Sequence, residues 1–147
     1  MNGTAWLESM HGHLGVLACA ALAHPAIRMR KGAPLSSGTR WSIGLTTLGV
    51  VGAFATGLVI YARYVAEVRP FVFRASAQAG LLFETKEHLA FLVVGTSLGA
   101  CACALLAPRE ARSLRRLASL LYALGALACL GTVLLGTHVA SVATFAR

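Results

Sequence analysis

The chain contains no aspartate, and its only acids are Glu8, Glu67, Glu84, Glu87 and Glu110. A Ser-His-Asp triad is therefore excluded. Equally absent are a P-loop, a dinucleotide glycine fingerprint and an H-E-x-x-H pair. Any catalysis is expected to be redox chemistry on a bound cofactor. Charge is scarce as well: 12% of the 147 residues are charged, about half the share in a soluble domain. The four cysteines, Cys19, Cys101, Cys103 and Cys129, all fall inside apolar runs, where a thiol packs as a small hydrophobe. No disulfide framework is expected from them, and Cys101 and Cys103 lie on different faces of any helix that carries both.

What the chain has is apolar length. It is 57% hydrophobic with a mean hydropathy of +0.72. Four apolar segments, at about 11–27, 42–64, 87–107 and 117–142, each approach the ~20 residues that cross a hydrocarbon core. The first is expected to begin before His11, within "AWLESM". It lacks a basic leader and a small-residue cleavage site, so it reads as a retained helix and not as a removed signal peptide. The expected fold is an all-α integral membrane protein: one domain over residues 1–147, with four transmembrane helices in an up-and-down bundle.

The net charge of +8 sits between the apolar runs, which argues against nucleic acid. The first connection carries Arg28, Arg30, Lys31 and Arg40 without an acid, and the third carries Arg109, Arg112, Arg115 and Arg116 against Glu110. Both are expected on the cytoplasmic side of a bacterial inner membrane. The second connection, an outer loop over 66–86, and both termini then face the periplasm. "RPFVFRASAQAGLLF" within that loop reads as a short helix lying on the outer surface as a lid. Trp6, Trp41, Tyr61, Tyr64 and Phe145 fall near the interfaces, where aromatic anchors belong. Gly95 and Gly99 form G-x-x-x-G, and Gly44, Gly49, Gly52 and Gly57 stud the second segment. Close helix packing and room for a flat ligand both explain them.

The histidines carry the functional expectation. With this orientation His11, His13, His88 and His138 come from three helices to one outer level, and ionisable groups at membrane depth are functional candidates by default. The first and third helices lie across the diagonal of a bundle, so His13 and His88 are expected to face each other as axial ligands of haem b. His11 and His138 are the alternates. His88 shares a stripe with Leu92, Gly95 and Gly99, which clears side chains beneath it. Arg63, Arg69, Arg74 and Lys86 are placed to hold haem propionates, or else to pair with Glu67, Glu84 and Glu87. A non-haem metal held by the same histidines with Glu84 or Glu87 is a second possibility, and ordinary interfacial histidines a third. His24 lies about 16 Å deeper on the face of His13 without a partner at its depth, and His24-Pro25 is expected to end and kink the helix.

Two resemblances follow from these residues. His11, His13 and His88 resemble the pattern of small bacterial four-helix transmembrane b-type cytochromes, which implies haem b and electron exchange with quinone or a periplasmic carrier. "WLESMH" (Trp6 to His11), "TGL" (Thr56 to Leu58) and Lys86 resemble the HemJ-type protoporphyrinogen oxidase and its CopD-like relatives. That family's first-helix histidine and third-helix lysine fall on His11 and Lys86, with haem implied. The family's tryptophan pattern within the first helix is missing, and Lys86 is expected at the membrane edge. The function expected is a quinone-linked haem b electron carrier. The alternatives are a porphyrinogen oxidase or a non-catalytic membrane subunit that packs against larger partners or its own copies.

Overall fold

The structure, a computed structural model, describes residues 3–145, with the side chains of 6–143. Among them there is no strand. Helices α1 (Gly3–Met29), α2 (Ser37–Arg63), α3 (Arg69–Ala75), α4 (Ala77–Leu105) and α5 (Arg112–Phe145) follow in order, and a π-helical turn over Tyr64–Val68 joins α2 to α3. Three stretches, Ser37–Ala75, Ala77–Leu105 and Arg112–Ala143, are long and apolar enough to cross a membrane. α1 adds a fourth long helix of 27 residues, about 40 Å at the usual rise.

Local chemistry sets the boundaries. Ser36 caps α2, its Oγ accepting from the Thr39 N–H at 3.2 Å, and Ser76 caps α4 in the same way through the Ala79 N–H. Gly32 turns the chain between α1 and α2 at φ +67°, and a Cβ there would stand 2.7 Å from the Arg112 carbonyl oxygen. Only glycine meets both demands. Two expectations are corrected. The stretch 66–86 is no loop, because α2 runs through the π-helical turn into α3 and only Ser76 interrupts the helix before α4. Pro70 sits in the first turn of α3, where its missing N–H costs nothing. Nor does His24-Pro25 end α1, which continues to Met29.

α1 packs on α2 and α5, α4 packs on α5 and α2, and α1 lies across the diagonal from α4. The interior is built from small and hydroxylated residues: Ala18, Ala100, Ala104, Ala118, Ser97 and Thr96 are all buried. The large apolar side chains point outward, with Leu17, Trp41, Val59, Phe91, Leu106 and Leu127 each at least 60% exposed. In water this would be an aggregation surface. In a bilayer it is the expected inside-out arrangement, since small interior residues let helices approach and lipid solvates the leucines. The chain is a multi-pass membrane protein of all-α class.

Polar contacts lock the half of the bundle near the α1–α2 and α4–α5 turns. Tyr122 is fully buried, its hydroxyl 2.9 Å from Thr47 Oγ1, to which Ser97 also donates. Arg115, 2% exposed, donates to the carbonyls of Gly32 (3.0 Å), Pro108 (2.8 Å) and Arg109 (2.7 Å). It ties both turns together at one basic pole. All four cysteines are free. Cys19 and Cys129 lie in the α1–α5 contact, against the Ala126 and Gly15 carbonyls.

Candidate functional site

The interior stripe of α1 runs His11, Gly15, Ala18, Leu22, Ala26 and Met29, spaced by three or four residues. His11 therefore turns into the bundle. His13, two residues and about 200° further round the helix, is exposed, and its Nδ1 bonds back to the Ser9 carbonyl at 2.7 Å. The same phase rule acts on α4. Its buried stripe passes Ala79, Phe83, Val93 and Ala100, which puts Lys86 on the inward side. His88 is exposed, with its Nδ1 2.8 Å from the Glu84 carbonyl. The upper part of the stripe expected to lie beneath His88 faces away from the bundle, since Leu92 is exposed and nothing lies within 4 Å of a Cβ built on Gly95, while Gly99 packs toward Leu121 of α5. His13 and His88 thus do not face each other across the bundle. His138 is exposed as well. His24 stands at the basic pole against Ser42 Oγ at 2.7 Å.

Two of the expected residues are brought into the interior, His11 and Lys86. The His11 Nδ1 lies 2.9 Å from the Ala53 carbonyl and 3.3 Å from Thr56 Oγ1. A carbonyl only accepts, so Nδ1 carries the proton and Nε2 keeps its lone pair. Gly57 makes the approach possible, since a Cβ there would stand 2.9 Å from His11 Cε1. Lys86 extends from α4 across Gly136 of α5, where a Cβ would meet its Cε at 3.3 Å. Its ammonium is within electrostatic reach of the His11 ring. One layer thus draws a residue from each long helix, and glycines on α2 and α5 make room for the two basic side chains.

A polar shell lies beyond this layer. Tyr64, the first residue of the π-helical turn, stacks on Phe83 with centroids 4.2 Å apart. π-Helical turns often mark functional positions. The Tyr64 hydroxyl and Glu87 Oε1 are both buried with no hydrogen-bond partner among the described residues. Glu87 Oε2 accepts from the Tyr61 hydroxyl at 3.5 Å. Native proteins rarely bury polar atoms unpaired, which sets these two apart from the rest of the interior.

The remaining expected cations are otherwise engaged. Arg63 pairs with Glu67 at 2.9 Å, Arg69 pairs with Glu84, and Arg74 lies over the Phe71 ring. No three of His, Cys, Asp and Glu gather as a metal-holding group among the described residues. Sequence reasoning placed Tyr61 and Tyr64 as interface anchors and missed their place beside Glu87. Thr56 entered only as part of a short motif and Gly57 as one of several glycines in its segment, yet they are what seats His11. The chain matches no protein-family model, no curated protein and no solved structure.

Proposed function

We propose that the chain is a redox protein of the bacterial inner membrane that binds haem b in the outer half of a four-span bundle, with His11 as the iron ligand. Orientation follows from charge: eight of the thirteen basic residues lie at or beside the two turns of the basic pole, which then faces the cytoplasm. The His11–Lys86 layer and both termini then lie on the periplasmic side. The observation that carries the proposal is the seating of His11, an interior imidazole whose Nδ1–H is held by a backbone carbonyl. That second-shell bond is the usual one behind a metal-ligating histidine, and it leaves Nε2 as the donor. A neutral imidazole held in this way is a donor that a haem iron takes as a ligand.

Haem b, when bound, supplies reversible one-electron chemistry. The chain's own residues orient the imidazole through Ala53 and Thr56, exclude bulk from α2 through Gly57, and set an ammonium beside the site through Lys86. Glu87 and Tyr64 add a carboxylate and a phenol that bind or pass a proton. On this reading the site would exchange electrons with quinone or a periplasmic carrier.

Lys86 favours one second reading. A half-buried lysine within electrostatic reach of a histidine is more than an electron carrier needs, and these are the two positions that resemble the HemJ-type oxidase. A porphyrinogen, which must lose protons and electrons together, is the substrate on that alternative.

The test is a reduced-minus-oxidised absorption spectrum of detergent-purified protein supplied with haem. An α band is expected, lost in His11→Ala and kept in His13→Ala and His88→Ala. No α band in haem-supplied wild type would overturn the proposal and leave a non-catalytic membrane subunit. Loss of the band in His88→Ala but not in His11→Ala would overturn the ligand assignment. Porphyrinogen turnover abolished by Lys86→Ala with the haem band retained would favour the oxidase.

A further inference from the structure

A recess of about 320 Å³ opens at the basic pole, between the end of α1 and the first turn of α2. Arg28, Arg30 and Lys31 line one part of it, with Ser36, and Ile27 and Leu35 line another. The three cations are exposed. No acid lies in their connection, and the ion pairs Arg63–Glu67 and Arg69–Glu84 lie at the opposite pole. The neighbouring turn adds Arg109, Arg112 and Arg116 against Glu110 alone. Arg115 adds a buried guanidinium whose bonds go to carbonyl oxygens and no carboxylate. The pole therefore concentrates positive charge around a recess whose own cations form no ion pair among the described residues.

The walls discriminate between anions. A hydrated inorganic ion gains nothing from Ile27, which is 60% exposed beside Arg28, nor from Leu35. An amphiphile with a phosphate at the membrane surface and hydrocarbon beside it uses both parts of the lining. Around the start of α2 a second recess is walled by Arg40, Trp41, Gly44 and Leu105, and Trp41 is 70% exposed. It repeats the combination of one cation above an apolar wall that suits an acyl chain. Basic pockets between membrane helices are the usual seat of anionic headgroups.

We infer that the α1–α2 recess binds the phosphodiester of an anionic phospholipid through Arg28, Arg30 and Lys31. The site is independent of the haem proposal, and it stands or falls without it.

The experiment is native mass spectrometry of the full chain in detergent, titrated with phosphatidylglycerol or with phosphatidylcholine of the same chains. Wild type is expected to retain phosphatidylglycerol at least tenfold more strongly. Each cation removed from the recess should cost about fivefold, so Arg28→Gln/Arg30→Gln/Lys31→Gln should abolish the preference. The control Arg109→Gln/Arg116→Gln removes two exposed cations from the same pole outside the recess and should keep it. Lys31→Gln alone, a single exposed change, gives the same direction if the triple variant fails to fold. Equal retention of the two lipids by wild type would overturn the inference, as would an equal loss in the control, which would mean diffuse charge alone. Displacement of the lipid by millimolar inorganic phosphate would assign the recess to free phosphate instead.

Discussion

Gly57→Ala and Gly52→Ala place the same methyl group on the same helix five residues apart, with opposite expected outcomes. At Gly57 the new Cβ would lie 2.9 Å from His11 Cε1 and 3.3 Å from Nδ1, whereas ordinary contact begins at 3.4 Å. The ring must recoil by about 0.5 Å, which stretches its 2.9 Å bond to the Ala53 carbonyl past useful length. Overpacking of this kind costs ~1–3 kcal/mol and the lost bond ~1 kcal/mol. The better helix propensity of alanine returns ~1 kcal/mol. A net destabilisation of ~1–3 kcal/mol follows, with weakened haem loading if His11 is the ligand. At Gly52 nothing lies within 4 Å of the built Cβ, so only the propensity gain of up to ~1 kcal/mol remains. Unfolding of the two variants in mixed micelles by denaturing detergent measures the difference directly. Equal stabilities, or a Gly57→Ala variant as stable as Gly52→Ala, would refute the placement of His11 against α2.

Arg115→Met should lower stability by at least ~3 kcal/mol, because three carbonyls lose their donor at once, and Arg115→Lys should recover only part of that since an ammonium lacks the fork; a loss below ~1 kcal/mol in the same assay would contradict the geometry. Tyr122→Phe removes the hydroxyl that meets Thr47 and is expected to cost ~0.5–2 kcal/mol, the range for interhelical hydrogen bonds, with Thr47→Val costing about the same and the double variant no more than slightly above either. Glu84→Gln breaks the half-exposed pair with Arg69 and should cost under ~1 kcal/mol, a difference that vanishes in molar salt; a larger, salt-independent loss would mean the pair is buried.

Three membrane-length helices were legible because apolar run length is a direct readout of hydrocarbon thickness. The diagonal placement of α1 and α4 followed from the up-and-down order of the bundle. Helical phase was not legible. A soluble helix announces its buried face by hydrophobic contrast, but α1, α2 and α4 are apolar all round, so contrast carries no signal. The stripe Leu92, Gly95, Gly99 then looked like an interior cleared for a ligand, whereas the true interior of α4 is marked by alanine, serine and threonine. That choice of phase separated His88 from Lys86 and His13 from His11. Neither composition nor spacing indicated that His11 and Lys86, and not His13 and His88, are the ones turned inward. The join of α2 to α3 was not legible either: the stretch 66–86 was expected as a loop carrying a short helix, and the π-helical turn that hands the chain to Pro70 at the start of α3 leaves no mark in the apolar pattern.

Arg115 has a consequence for how the protein is made. The bundle consists of two helical hairpins, and the carbonyl of Gly32 in the first hairpin finds its donor on the second. Pro108 and Arg109, which complete the grip, precede α5 by only a few residues. The earlier hairpin thus leaves synthesis with an open acceptor at its turn, and the later one arrives with a guanidinium already drawn toward its own turn. Docking closes both deficits in one event. The two halves are therefore latched at the pole that carries both hairpin turns, and a chain truncated before α5 would lack the fastener as well as the fourth wall.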